Sequence, residues 1–84
     1  MGLVTVRYFA GARAAAGVHE EKVELPTDAT VQDALTAIAT LHGDVLGRVM
    51  LSASFLLDGV AVRDRAARLP EGTALDVLPP FAGG

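Results

Sequence analysis

Residues 3–9 read Leu-Val-Thr-Val-Arg-Tyr-Phe, and their period-two alternation of β-branched and aromatic side chains predicts a strand with one buried face. Val4, Val6 and Tyr8 share the better core face, because the other side carries Thr5 and Arg7 beside Leu3 and Phe9. Phe9 is thus a large apolar residue on the wetter side. Residues 20–25 alternate charged and apolar positions and stop at Pro26, which predicts a second strand. Between the two, Ala10–Ala16 is alanine-rich and ends at Gly17, as a helical turn closed by a C′ glycine does.

Thr30-Val31-Gln32-Asp33 resembles a capping box, with Thr30 as the N-cap and Asp33 at the third helical position. Val31, Ala34, Leu35, Ile38 and Leu41 then repeat at helical spacing up to Gly43, which predicts one amphipathic helix of about three turns. Residues 44–54 fit either a short helix or an irregular connection. Phe55-Leu56-Leu57 and Val60-Ala61-Val62 flank Asp58-Gly59, the pair that supplies the positive φ of a type I′ hairpin turn. A polar loop with Arg63, Arg65 and Arg68 follows. Then comes a turn with Pro70 second and Gly72 fourth. Residues 73–78 form the last predicted strand, with Leu75 and Val77 toward the helix and Asp76 and Leu78 outside. Pro79-Pro80 ends it, since proline cannot donate to the ladder. One helix of this size covers one face of a mixed sheet of four to five strands. The fold class is therefore α+β, a two-layer sandwich whose other sheet face stays partly open.

At 84 residues the chain is one domain. Its 51% hydrophobic and 20% charged residues exclude a disordered segment. The absence of cysteine excludes disulfide scaffolds, zinc–thiolate sites and a cysteine nucleophile. A net charge of −3 argues against a nucleic-acid partner. Uncharged runs such as Val49–Leu57 fall far short of the roughly 20 residues that cross a bilayer, so no membrane association is expected. The start of the chain has no basic segment followed by an apolar one, so a cytoplasmic location is expected.

No Ser-His-Asp set, metal cluster or phosphate loop can be assigned. His19 and His42 stand apart and read as surface or helix-end residues, Asp28 and Asp33 as helix capping, and the three arginines as a solvated loop. The chemistry is at the other end. Pro79-Pro80-Phe81-Ala82-Gly83-Gly84 divides the chain into a domain over 1–80 and an expected flexible diglycine tail over 81–84. Four residues past the prolines reach roughly 14 Å. Ala82, Gly83 and Gly84 have almost no side chain, so the tail fits a channel barely wider than the backbone. Its reactive group is the α-carboxylate of Gly84.

Val6-Arg7-Tyr8-Phe9-Ala10, Glu24-Leu25-Pro26, Thr30-Val31-Gln32-Asp33-Ala34-Leu35 and above all Asp76-Val77-Leu78-Pro79-Pro80-Phe81-Ala82-Gly83-Gly84 carry a resemblance over the whole chain. It resembles the ubiquitin-like β-grasp sulfur carriers of the MoaD/ThiS group, most closely the MoaD family of molybdopterin synthase small subunits. The resemblance implies a β-grasp fold and a carrier that is no enzyme by itself, with no cofactor bound. An E1-like adenylyltransferase would use ATP to adenylate Gly84, and a sulfur donor would convert the adenylate to a thiocarboxylate. The molybdopterin synthase large subunit would then receive the tail and supply the active-site residues. A β-grasp sheet sets its first and last strands side by side, so Phe9 and Leu78 are expected as exposed apolar contacts for partners. Pro80, Phe81, Ala82 and Gly83 complete that surface. The same tail also suits sulfur carriers for cysteine synthesis or tRNA thiolation, and protein modifiers that conjugate through Gly84.

Overall fold

The computed structural model describes residues 2–80. In chain order the elements are β1 (Gly2–Tyr8), α1 (Ala10–Ala16), β2 (Glu20–Leu25), α2 (Val31–His42), α3 (Asp44–Leu51), β3 (Ser54–Leu57), β4 (Val60–Ala61) and β5 (Ala74–Leu78). The sheet order is β2-β1-β5-β3-β4. β1 and β5 pair in parallel at its centre, and the other neighbours are antiparallel. A parallel pair needs a long crossover, and the crossover here contains all three helices. The expected α+β sheet is present with five strands. The expected diglycine tail lies outside the described residues.

Every strand except short β4 contributes to a single core, as do all three helices. Val4, Val6 and Tyr8 of β1 and Leu75 and Val77 of β5 are buried as their alternation predicts. Ala12 of α1, Val31, Ala34, Leu35 and Ile38 of α2, and Leu46 and Met50 of α3 close over them. The open choice at residues 44–54 resolves as a helix. Leu46 and Met50, four residues apart, turn inward, while Val45 and Leu51 remain exposed. α1 ends at Gly17, whose φ is 81° and whose N–H donates to the Arg13 carbonyl at 2.8 Å. The capping box of α2 is complete, with Asp33 N–H donating to Thr30 Oγ1 at 3.2 Å and Thr30 N–H to Asp33 Oδ2 at 2.9 Å. Asp58 and Gly59 have φ of 48° and 85°, the two positive values a type I′ turn requires.

Four expectations are corrected and one is extended. Leu41, assigned to the apolar stripe, is 61% exposed, and the inward place in that last turn belongs to His42. His42 is therefore not solitary: its Nε2 lies 2.5 Å from Glu21 Oε2. The turn after the arginine loop closes one residue later than expected, from Thr73 N–H to the Pro70 carbonyl at 3.3 Å, with Gly72 at φ 83° in its third position. The loop is exposed throughout residues 63–68, as expected of its three arginines, but it is also tied to the fold. The Ala67 and Arg65 carbonyls accept the Val31 and Gln32 N–H groups at 2.9 and 2.8 Å, satisfying donors that the start of α2 leaves unpaired. The Arg65 guanidinium also covers the Phe55 ring at 5.1 Å. Finally, Asp76 is on the outer sheet face as predicted but only 4% exposed, because Arg7 from the adjacent strand lies against it.

Beneath the sheet, Tyr8, Glu21 and His42 tie β1, β2 and the end of α2 together. The Tyr8 hydroxyl donates to Glu21 Oε2 at 2.5 Å. A carboxylate only accepts, so the His42 contact is made through a protonated Nε2. The two rings meet edge to face at a centroid distance of 5.7 Å. Burial first, and then the bond to Glu21, push the Tyr8 pKa up far above that of a free phenol.

Two outcomes follow from this packing. Ile38→Ala is expected to remove about 2–5 kcal/mol of stability, read as a lower denaturant midpoint with an unchanged m value. Tyr8 is the one tyrosine of the chain, so absorbance titration reports it alone. Its folded pKa is raised, so the neutral phenol's contribution is intact below the unfolded value of about 10 and is lost as pH rises beyond it. The absorbance of the native protein is expected to stay flat through about pH 11. Stability is expected to fall by at most about 1.4 kcal/mol per pH unit above pH 10.

Candidate functional site

The parallel register places Tyr8 opposite Val77, so the next residue of each strand, Phe9 and Leu78, come side by side on the outer face. The Phe9 N–H continues the ladder to the Val77 carbonyl at 3.2 Å. On the other flank Ser54 of β3 pairs with Leu78, and Leu56 pairs with Asp76. Phe9, Ser54, Leu56 and Leu78, together with Ala10, Gly11, Pro79 and Pro80, line a groove of about 550 Å³. The chain leaves the sheet through one wall of this groove.

The groove is apolar because the outer-facing residues of three strands become carbon-rich toward this end. Phe9, Leu56, Leu78 and Pro79 are half-buried, and Pro80 is exposed. Phe9 and Leu78 were expected to be exposed. They shelter each other and keep only one side free. Ala10 starts α1 with φ at 48°, a left-handed conformation that is uncommon for a residue with a β-carbon. That bend turns the chain from β1 into α1 at the groove's edge.

Two residues further back, Arg7 and Asp76 pair across β1 and β5. Nε donates to Oδ1 at 2.6 Å and Nη2 to Oδ2 at 2.8 Å, the bidentate arrangement that suits guanidinium and carboxylate. The Asp76 hydrogen bond and charge raise the Arg7 pKa. The pair takes up both oxygens of an otherwise unpartnered carboxylate on a sheet face that no helix covers.

Of the residues singled out in the sequence, Phe9, Leu78 and Pro80 are brought together at the groove. Phe81, Ala82, Gly83 and Gly84 lie outside the described residues. Ala10, Gly11, Ser54, Leu56 and Pro79 are added by the structure. Leu56 could have been found from the hairpin alternation that turns its neighbour Phe55 inward. Gly11 and Ser54 carry no local signal. Among the described residues no group of three or more histidine, cysteine, aspartate or glutamate side chains could hold a metal ion. No helix is long and apolar enough to cross a membrane.

Comparison with known proteins agrees with this arrangement. The molybdopterin synthase sulfur carrier subunit of Chlamydomonas reinhardtii is 37% identical over 83 residues, covering 96% of this chain and 98% of the algal one. Among solved structures, SAMP1 of Haloferax volcanii is similar with a TM-score of 0.88 and 29% identity, over 99% of this chain and all of that one. The Pyrococcus furiosus putative molybdopterin converting factor, subunit 1, is similar with a TM-score of 0.82 and 28% identity, over 96% of this chain and all of that one. The fold is the ubiquitin-like β-grasp. The sequence model of the ThiS family matches residues 6–84, through both final glycines. With a central parallel strand pair, an apolar groove where the chain leaves the sheet and a match along nearly its whole length, this protein belongs to the ThiS family.

Proposed function

We propose that this protein is a sulfur carrier, the small subunit of a molybdopterin synthase, and that Gly84 bears the sulfur as a thiocarboxylate. The reading is carried by the family match, which continues through Gly83 and Gly84. It is supported by the name of the algal relative, a sulfur carrier subunit of molybdopterin synthase. The groove at Pro79-Pro80 suits it, since an enzyme that takes up the tail would close over that end of the sheet.

A free carboxylate is a poor electrophile, so the Gly84 carboxylate must first be activated. An E1-like adenylyltransferase would join it to AMP from ATP with release of pyrophosphate. A donor of sulfide-level sulfur then attacks the acyl carbon, and the bond to AMP breaks. The product is a thiocarboxylate, whose ionised sulfur is a strong nucleophile as thiolates are. In the large subunit two carriers in turn would give their sulfur to a pyranopterin precursor to form the dithiolene. Each would leave with its Gly84 carboxylate restored by water. This protein contributes the handle and no active-site residues, binds no cofactor itself, and works in the cytoplasm with the ATP-dependent enzyme that loads it.

Intact-mass measurement after incubation with an E1-like enzyme, ATP and a sulfur donor tests the reading. The expected shift equals exchange of one oxygen for one sulfur. Covalent adducts to lysine that survive reduction, without that exchange, would instead identify a protein modifier. Gly83→Val is expected to leave folding unchanged and to block loading, because a β-branched side chain widens the thread; normal loading would refute the channel argument. Phe81→Ala is expected to weaken large-subunit binding by roughly 1–3 kcal/mol, measured by calorimetry.

A further inference from the structure

Gly11 lines the groove where α1 borders it, and nothing among the described residues requires a glycine there. Its φ is not positive. Outside its own helical turn, a β-carbon added to it would meet no atom of the described residues within 4 Å. It lies within α1, whose other residues are alanines and one arginine, and alanine is the better helix former at such a position. A glycine that costs helical stability and relieves no internal clash fits a site where another backbone comes close.

We propose that Gly11 is the point at which the partner receiving the tail lays its main chain against this protein, with one of the partner's apolar side chains filling the groove. The proposal rests on the carrier reading and adds to it the mode of contact. The occupant follows from the reach of the chain. Four residues beyond Pro80 extend roughly 14 Å, so an enzyme that holds Gly84 must come within that distance of Pro80. Pro79 and Pro80 are themselves walls of the groove, so such an enzyme meets it directly. Phe9, Leu56 and Leu78 offer carbon surface, and no charged side chain lines the groove, which selects an apolar side chain. A methyl group at Gly11 would hold the incoming backbone away.

Gly47 of α3 provides an internal control. An added β-carbon there also meets nothing within 4 Å, but Gly47 borders a different groove, between α2 and α3. The test compares full-length wild type, Gly11→Ala and Gly47→Ala for Tm, and for Kd toward the molybdopterin synthase large subunit of the same organism. Both variants are expected to raise Tm by about 4–8 °C, as removal of a helical glycine should in a domain of this size. Gly11→Ala alone is expected to weaken binding by about tenfold or more. Affinity of Gly11→Ala within about twofold of wild type would overturn the proposal. So would a lower Tm for Gly11→Ala, which would show that the glycine serves the fold, or equal weakening by Gly47→Ala. If wild type binds and only Gly11→Ala is without effect, this proposal alone falls; if wild type neither binds nor acquires sulfur, the carrier reading falls with it.

Discussion

The parallel pairing of β1 with β5 is the constraint on which the rest of the structure depends. It places the two strands together at the centre of the sheet, where Val4, Val6 and Tyr8 meet Leu75 and Val77 over one buried face. A parallel pair cannot be closed by a hairpin, so the intervening chain has to cross over the sheet. That crossover carries α1, α2 and α3, whose inward residues complete the core. The same register sets Phe9 beside Leu78 on the opposite face. The core and the groove are thus two sides of one strand pair.

The two faces handle polar groups differently. On the buried side, Glu21 is held by the Tyr8 hydroxyl and by His42, so a carboxylate near the core has partners from a neighbouring strand and from the end of α2. On the open side, Asp76 is held among the described residues by Arg7, through both of its oxygens. Buried polar groups are tolerated when their hydrogen bonds are made, and none of the described side-chain polar atoms is buried without a partner. The open face can therefore present carbon surface at the groove while a charged pair sits two residues further along the same strands.

Function as a carrier suits this economy of chemistry. On that proposal the domain supplies a sheet end and an exit at Pro79-Pro80, and the reaction would belong to enzymes that take hold of the tail. Under the proposed function, a groove next to the exit would give those enzymes a surface to grip besides the last four residues of the chain. Gly11, at the same groove, then serves the contact with a partner and not the packing of the chain on itself.

Local patterns in the sequence determined most of the elements. Alternation named the inward residues of β1 and β5, the Thr30–Asp33 box placed the start of α2, and Asp58-Gly59 placed the hairpin, because each signal depends on neighbours a few residues apart. The diglycine ending and its resemblance were also legible in the chain. Tertiary structure decided what depends on residues far apart. The helix at 44–51 exists because Leu46 and Met50 have a core to enter. His42, and not Leu41, turns inward because Glu21 and Tyr8 are there to receive it. Asp76 is covered because the parallel register brings Arg7 across from 69 positions away. The groove combines residues 9–11, 54, 56 and 78–80, and only the folding of the sheet brings those stretches of chain to one place.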